Sequence, residues 1–175
     1  MTTRLGEGVR ATPIGPARFV VRETGAVVAL GFDVQWEGLV RRLERRFGAV
    51  ATGPTDAVER FARRLDAYFA GDLAAFEGVA LDAGGTTFQR RVWDALLAIE
   101  PARTRSYGAV ARAIGAPRAV RAVGAANGAN PVAIVVPCHR VVASDGELHG
   151  YAGGLERKAW LLAHEARHAR RALTA

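Results

Sequence analysis

The sequence predicts an α/β N-terminal domain, with a small sheet and helices, followed by a mainly helical C-terminal domain. Three observations predict this organisation. Strand-like apolar segments flank a glycine turn near residue 25, apolar residues recur at helical spacing through much of the second half, and the pattern breaks between Gly71 and Gly85. We place the first domain at residues 1–80 and the second at residues 86–175. A chain of 175 residues is long enough for two small domains.

The N-terminal domain is expected to begin with a β-hairpin, because residues 18–22 and 26–30 flank Gly25 at a turn position. Residues 36–47 predict a helix with an arginine-rich outer face. A second helix is predicted from apolar residues at helical spacing, at Val58, Phe61, Leu65, Tyr68 and Phe69.

The C-terminal domain is expected to contain four helices. The first begins at a capping box formed by Thr86 and Gln89. Ser106 caps the second, and a Gly-Ala-Pro turn leads to the third, over residues 118–127; two short helices joined in this way predict a helix-turn-helix. A last helix covers residues 155–168. Its expected buried face carries Leu155, Ala159, Leu162 and Ala166.

The third of these helices, RAVRAVGAAN, has a surface made almost entirely of alanine, glycine and arginine, with Val120 and Val123 expected to face inward. Small side chains such as Ala122 and Ala126 would let the helix backbone approach a surface closely, while Arg121 supplies charge. Long side chains that read base edges suit the wide major groove better than the narrow minor groove. We therefore predict minor-groove docking with weak sequence readout. The alternative is a pair of packed helices that binds no DNA.

Net charge is divided unevenly along the chain. Residues 1–85 carry 11 arginines and 11 acidic residues, whereas residues 86–175 carry 13 basic and six acidic residues and so hold the whole net charge of +7. A basic half is typical of a protein with a polyanion partner, nucleic acid above all. An arginine-rich composition without such a partner is the alternative.

The sequence offers no sign of a membrane or secreted protein. It contains no apolar run of about 18 residues, the length that a membrane-spanning helix needs. The N-terminal stretch MTTRLGEGVR lacks the apolar core of a secretory signal. One cysteine cannot form an internal disulfide, and a lone thiol is typical of a reducing compartment. We expect a cytoplasmic protein.

The single cysteine, Cys138, lies beside His139 and follows Pro137 at the end of an apolar run. We expect this run to form an active-site strand. The thiolate is the nucleophilic form of cysteine, and a nearby base raises the thiolate fraction. Histidine in turn needs a partner that fixes its tautomer, and Glu165, on the expected polar edge of the last helix, is a candidate. The alternative is a buried, inert thiol.

Six segments between Thr86 and Glu165 resemble the catalytic domain of the O6-alkylguanine-DNA alkyltransferases, the methylated-DNA–protein-cysteine methyltransferases. They stand in the family's order and spacing: FQRRVW at 88–93, TRSYG at 104–108, RAVGAANGANP at 121–131, PCHRVV at 137–142, GYAGGLERK at 150–158 and LLAHE at 161–165. The resemblance implies DNA repair by irreversible, stoichiometric transfer. The alkyl group passes from O6 of guanine in double-stranded DNA to the protein's own cysteine, without a cofactor.

The resemblance also implies a role for each matching residue. Cys138 is similar to the alkyl acceptor, His139 to the base that takes the thiol proton through a water, and Glu165 to the carboxylate that orients the histidine. Asn130 resembles the residue that braces the hinge before the active site. Tyr107 resembles the hydroxyl that donates to the departing guanine.

Other residues resemble the family's DNA-binding and base-binding groups. Arg121 is similar to the arginine that enters the base stack in place of the extruded nucleotide. Val141 and the backbone around Tyr151 and Ala152 look like walls of the base pocket. The predicted set is completed by Ser106, Ala122 and Ala126.

The sequence departs from the family pattern in three places. Residues 99–104, Ile-Glu-Pro-Ala-Arg-Thr, differ from the more usual Ile-Pro-x-Gly-x-Thr, and we expect a local rearrangement there. Ala152 stands where some relatives carry serine. Residues 1–85 contain no cysteine, so the cysteine zinc site of some members cannot form. His164 and His168 have the spacing of metal ligands on a helix, but no third ligand is evident and we expect no metal.

Two other functions remain as alternatives. One is a non-catalytic protein that binds alkylated DNA; such relatives replace the reactive cysteine, which is present here. The other is a helix-turn-helix regulator that senses through its thiol. We expect a monomer whose partner is double-stranded DNA containing alkylated guanine.

Overall fold

A computed structural model of the chain describes residues 4–48, 53 and 55–173, with the backbone alone for 171–173. The chain divides into two compact units, Met1–Ala83 and Gly84–Ala175, called unit 1 and unit 2 below. In the part of the chain that is described, no helix is both long enough and apolar enough to cross a membrane.

The described residues of unit 1 form a three-stranded antiparallel sheet and two helices. The strands are β1 (Leu5–Arg10), β2 (Ala17–Arg22) and β3 (Val27–Phe32), paired in the order β1-β2-β3. The helices are α1 (Asp33–Phe47) and α2 (Asp56–Ala70). The predicted hairpin and both predicted helices are confirmed.

Strand β1 was not predicted from the sequence, because its segment LGEGVR contains two glycines and glycine weakens strands. The structure shows why Gly8 is needed. Gly8 lies opposite Phe19 on β2, and a Cβ at position 8 would come within 2.4 Å of the Phe19 ring. The glycine therefore lets a large aromatic side chain fill the core beneath β1.

The core of unit 1 is apolar and aromatic. Phe19 meets Phe61 edge to face, with ring centroids 5.0 Å apart, and Phe61 and Tyr68 both contact Phe76. The ionic contacts of this unit lie nearer the surface. Arg10 pairs with Asp66 there, and Asp82 pairs with both Arg22 and Arg46.

Between residues 84 and 173, the described part of unit 2, the chain forms four α-helices and one short parallel strand pair. The helices are α3 (Thr87–Leu97), α4 (Tyr107–Ala113), α5 (Val120–Gly128) and α6 (Leu155–Leu173). The strands, β4 (Arg105–Ser106) and β5 (Val141–Val142), pair in parallel and join residues far apart in the chain. The predicted four helices and the mainly helical character of this half are confirmed.

The predicted helix starts of unit 2 are present in the structure. Thr86 Oγ1 accepts a hydrogen bond from the Gln89 amide, and Gln89 Oε1 accepts one from the Thr86 amide, which completes the capping box. Ser106 Oγ accepts from the Ala109 amide and caps α4. Helices α4 and α5 form the helix-turn-helix, with Gly115 at φ 69° in the turn.

The predicted buried faces of α6 and α5 were partly wrong. Leu155 is 48% exposed and Ala159 is exposed. The buried face of α6 instead carries Lys158, Leu161, His164 and Glu165. Hydrophobic periodicity failed here because polar side chains with partners inside the unit occupy positions that apolar residues usually fill. On α5, Val120 is 38% exposed, whereas Val123 is buried as predicted.

The expected active-site strand is much shorter than the apolar run suggested. Residues 133–135 form a turn and Val136 lies in a bend, so that the strand β5 begins only at Val141. Ile134 has φ 68°, which a β-branched residue rarely adopts. The side chain of Asn130 replaces strand partners, since its Oδ1 accepts from the Val132 amide and its Nδ2 donates to the Val136 carbonyl. A side chain therefore holds this segment as a compact turn.

Candidate active site

Cys138 opens a short 3-10 turn, Cys138–Arg140, directly after the compact turn. The Nδ2 of Asn130 lies 3.0 Å from the sulfur and donates to it, and the Cys138 carbonyl accepts from Asn127 Nδ2 at 3.4 Å. The two asparagines follow each other closely at the end of α5. The end of the helix-turn-helix thus fixes both the backbone and the sulfur of the cysteine.

The thiol of Cys138 is 6% exposed. Burial raises the pKa of this thiol, while the hydrogen bond from Asn130 and the positive charge of Lys158 oppose that rise. The resting group is therefore a neutral thiol near pH 7, and it needs a base to become a nucleophile. The neighbouring groups supply stabilisation for the thiolate once it forms.

His139 is completely buried, and its Nε2 lies 2.8 Å from Glu165 Oε1. An ionised carboxylate can only accept, so Nε2 carries the hydrogen and Nδ1 carries the free electron pair. Nδ1 is buried and has no hydrogen-bond partner among the described residues. Burial lowers the pKa of His139 and outweighs the effect of Glu165, which raises it. The imidazole is therefore neutral near pH 7 and can take up a proton at Nδ1.

Glu165 is buried at the centre of this network, not on the polar edge of α6 as we expected. Burial alone would raise the pKa of its carboxyl, but the hydrogen bonds from His139 and Arg140 and the positive charge of Arg140 outweigh burial and hold the pKa well below its usual range. Arg140 donates to it through Nε and Nη2. The amide of Ala102 donates to Oε2 at 3.0 Å.

Residues 99–104, which differ from the family pattern, thus reach the active site. Ala102 takes the place of glycine in the more usual pattern and has φ 61°, in the left-handed region. The expected local rearrangement relative to that pattern stays a prediction. Alanine adopts the conformation that glycine favours there, and its amide points at Glu165.

Tyr107, at the start of α4, lies near the cysteine. Its hydroxyl donates to the His149 carbonyl at 3.2 Å, and burial, followed by the nearby Cys138, raises its pKa. Lys158 is fully buried and donates to the same His149 carbonyl at 2.7 Å. Its ammonium lies 6.0 Å from the centre of the Tyr107 ring. A phenol and an ammonium therefore meet at one carbonyl beside the thiol.

An open cleft of about 610 Å³ lies between α5 and the segment 149–152. Tyr107, Arg121, Tyr151 and Ala152 are among its lining residues. Cys138 is not in the lining, although it lies close enough to influence the pKa of both Tyr107 and Tyr151. The cleft ends near the thiol without exposing it.

The remaining predicted residues fall into three places. Ala122 and Arg121 are exposed on α5, and Ser106 is half-buried as the cap of α4. Val141 is completely buried in β5, outside the cleft lining. Ala126 is also buried, and its carbonyl accepts from the Trp93 indole, so this side chain cannot reach DNA directly. We correct its assignment to a core position.

Sequence reasoning missed Lys158 and Arg140 as parts of the site. A signal for Lys158 existed, because it is the only lysine among 24 basic residues. Arg140 stands inside the PCHRVV segment, but the sequence alone gives no indication that its charge is buried. Burial of both became visible only in the folded chain.

Possible metal ligands come together at one surface position. Side-chain atoms of Asp145, Glu147 and His149 lie within 4.8 Å of one another, and all three residues are exposed. Exposed acidic groups often approach each other without binding metal. The described residues bring no third ligand to the pair of His164 and His168, whose rings lie 4.6 Å apart.

Comparison with known proteins places this arrangement in a family. Residues 87–167 match the family model described as 6-O-methylguanine DNA methyltransferase, DNA binding domain. The methylated-DNA–protein-cysteine methyltransferase of Mycolicibacterium paratuberculosis is 52% identical over 138 residues, or 77% of this chain and 83% of that protein. The protein of the same name from Salmonella typhimurium is 44% identical over 93% of this chain and 96% of its own length. The chain belongs to the methylated-DNA–protein-cysteine methyltransferases.

Solved structures of similar proteins share the fold. Mycobacterium tuberculosis OGT in complex with DNA matches with a TM-score of 0.79 and 42% identity, over 91% of this chain and 92% of that one. The O6-methylguanine-DNA methyltransferase of Pyrococcus kodakaraensis matches with a TM-score of 0.67 and 29% identity, over 92% and 98%. The predicted resemblance to the methyltransferase family and the predicted fold class are both confirmed.

Proposed function

We propose that this methyltransferase repairs double-stranded DNA by moving the alkyl group of O6-alkylguanine to Cys138 Sγ, once and irreversibly. One observation carries the residue assignment. A buried thiol and a buried, neutral histidine with an unpartnered Nδ1 stand next to each other in one short turn. The M. tuberculosis relative has been solved in complex with DNA, which supports DNA as the partner.

The first step is removal of the thiol proton. Nδ1 of His139 accepts it, directly or through a water, and the imidazolium that forms is stabilised by the Glu165 carboxylate at Nε2. The thiolate keeps the hydrogen bond from Asn130 and the attraction of Lys158, which both favour the charged form. The negative charge of the thiolate is therefore compensated by Asn130 and Lys158 as soon as it forms.

The second step forms the new bond. The sulfur attacks the alkyl carbon, the S–C bond forms, the C–O6 bond breaks, and the electron pair of that bond passes to the guanine. A donor near the purine lowers the cost of this charge, and the Tyr107 hydroxyl, which lines the cleft, would supply it after it leaves the His149 carbonyl. A thioether does not hydrolyse, so the cysteine is consumed.

The alkylated guanine must leave the duplex before its alkyl carbon can reach the buried thiol. Extrusion of a nucleotide costs a few kcal/mol of stacking and pairing. Arg121, exposed at the edge of the cleft, can take the vacated place in the stack, and the cleft has the size of an ordinary small-molecule site. The net charge of +7 on residues 86–175 supplies attraction for the phosphates. All these groups come from one chain, so we propose that a monomer suffices.

The test is intact mass after the protein is mixed with duplex DNA that contains O6-methylguanine. The wild-type chain should gain one methyl group per molecule, and the gain should map to Cys138. Cys138→Ala should bind the same duplex and gain nothing. Methyl transfer to that variant would place the acceptor elsewhere, and binding by the wild type with unchanged mass would favour the non-catalytic binder.

A second measurement separates extrusion from chemistry. Arg121→Ala should slow transfer from duplex DNA far more than transfer from free O6-methylguanine. Ala125→Gly, one turn further along the exposed surface of α5, leaves the charge intact and controls for disturbance of the helix. Equal slowing of Arg121→Ala on both substrates would remove Arg121 from the extrusion step.

A further inference from the structure

We propose that Arg140 is a positioning residue of the transfer reaction, which fixes the orientation of Glu165 and thereby fixes which nitrogen of His139 is left to take the thiol proton. The inference rests on the proposed function and concerns the same site. It starts from a buried guanidinium that has no part in the steps described above.

Arg140 is 8% exposed, and all three of its guanidinium nitrogens donate. Nε lies 3.0 Å from Glu165 Oε2, and Nη2 lies 2.9 Å from Glu165 Oε1. Nη1 lies 2.5 Å from the Ile99 carbonyl. Two parallel contacts to one carboxylate form a planar fork, which holds orientation as well as charge.

The loop that contains Ile99 also contacts the Glu165 carboxylate. The Ala102 amide donates to Glu165 Oε2, and Ala102 has the left-handed φ of 61° that alanine rarely adopts. Such a conformation at a functional position is typical of a backbone group held in place for a contact. Arg140 therefore holds the loop at Ile99 and the carboxylate at both oxygens.

This arrangement decides the state of His139. With Oε2 taken by Ala102 and Arg140, the carboxylate cannot rotate, and Oε1 stays opposite Nε2. Nε2 must then carry the hydrogen, and Nδ1 is left as the acceptor. A carboxylate without this fork could turn its oxygens away from the imidazole or engage either ring nitrogen.

Charge acts in the same direction. The charged groups around the imidazole are Glu165 and Lys158 from α6 and Arg140 from the same turn, with the thiol of Cys138 adjacent. Burial lowers the pKa of His139 most, Glu165 opposes this, and Arg140 and Lys158 lower the pKa further. Loss of the Arg140 charge should therefore raise the pKa of His139, and the base should become protonated at a higher pH.

The experiment uses the full chain and free O6-methylguanine, so that DNA binding does not enter. Single-turnover transfer is followed by intact mass from pH 5 to 9 in Arg140→Gln, Arg140→Lys and the wild type. Arg103→Gln is the matched control, because Arg103 is an exposed arginine of the same loop region.

Arg140→Gln should react roughly 10- to 100-fold more slowly near pH 7, because the catalytic groups are no longer aligned. The midpoint of the acid limb of its rate profile should also lie at a higher pH. Arg140→Lys keeps the charge and loses the fork, so it should be slowed with its midpoint near that of the wild type. Arg103→Gln should match the wild type in rate and midpoint.

A slowed Arg140→Gln with an unmoved midpoint would overturn the inference, since a purely structural role predicts that result. If Arg140→Gln does not fold, Arg140→Lys decides the question together with an NMR titration of the His139 ring. A Lys variant within twofold of the wild-type rate would then overturn it. Failure of the wild type itself to gain a methyl group would instead overturn the proposed function.

Discussion

Unit 1 and unit 2 both bury an apolar core, but they treat polar groups differently. Among the described residues, all of the buried polar and charged side chains belong to unit 2: Asn127, Asn130, His139, Arg140, Lys158, His164 and Glu165. In unit 1 the ion pairs of Arg10 with Asp66 and of Asp82 with two arginines remain partly exposed.

This difference shows which unit bears the free-energy cost of burying polar and charged groups. Burial of a charge is unfavourable unless a partner and hydrogen bonds compensate it, and even then the balance is close to neutral. Buried charges of this kind therefore add little to the stability of a fold. In unit 2 polar and charged groups are buried around the sulfur of Cys138. The low dielectric there strengthens each electrostatic contact that the reaction uses.

The largest expected effect comes from breaking the buried network. Glu165→Ala should lower the free energy of unfolding of unit 2 by about 3–5 kcal/mol, because it leaves the Arg140 guanidinium buried without its counterion. Transfer to Cys138 should also be lost, because His139 loses its partner. Urea denaturation followed by circular dichroism measures the first effect, and intact mass measures the second.

The control for this variant lies in the other unit. Leu65→Ala creates a cavity in the unit 1 core and should cost about 2–5 kcal/mol, a similar loss of stability. Molecules that remain folded should still transfer the methyl group from free O6-methylguanine. Loss of transfer in folded Leu65→Ala protein would contradict the view that the reaction depends on unit 2 and not on the core of unit 1.

An intermediate effect is expected from acidification. The pKa of His139 lies below its ordinary value in the folded chain, so the unfolded chain takes up this proton first. Unit 2 should therefore lose stability as the pH falls below about 6.5, by at most about 1.4 kcal/mol per pH unit for this group. In unit 1 the carboxyl groups with lowered pKa values are those of Asp66 and Asp82, whose contribution is lost only below about pH 3.9.

Hydrogen exchange of α6 and α2 at pH 7 and pH 5, corrected for intrinsic rates, would separate the two units. Protection should fall more in α6 than in α2. An equal fall in both helices would show that His139 does not dominate the difference.

The smallest effect is expected at the surface of unit 1. Asp66→Ala removes the partner of Arg10, but both side chains are partly exposed to water, where such pairs contribute little and are screened by salt. The urea midpoint should stay within the error of the measurement at moderate salt. A clear shift that persists at high salt would show that unit 1 also relies on ionic contacts.

Local patterns explain which parts of the structure could be predicted from the sequence. The capping box of Thr86 and Gln89 involves neighbours three residues apart, and the structure confirms it. The Ser106 cap and the turn at Gly25 are equally local. The conformation of each depends on residues that the sequence itself places side by side.

The remaining features depend on contacts between distant residues. The buried face of α6 contains Lys158 and Glu165, whose partners come from segments nine or more residues away. The run before Cys138 has the composition of a strand, but the side chain of Asn130 folds it into turns. Hydrophobic spacing cannot reveal either case, because in both a polar group replaces an apolar or backbone partner.

The contact between Asn130 and the cysteine sulfur has a consequence for the protein after it has reacted. An alkyl group on the sulfur adds volume inside a closed turn, and overpacking of this kind would force the sulfur away from the Asn130 amide. Asn130 Nδ2 would then retain only the Val136 carbonyl. The spent molecule should melt at a lower temperature than the fresh one, so that a melting curve works as a dosimeter for the alkylation that a sample has absorbed.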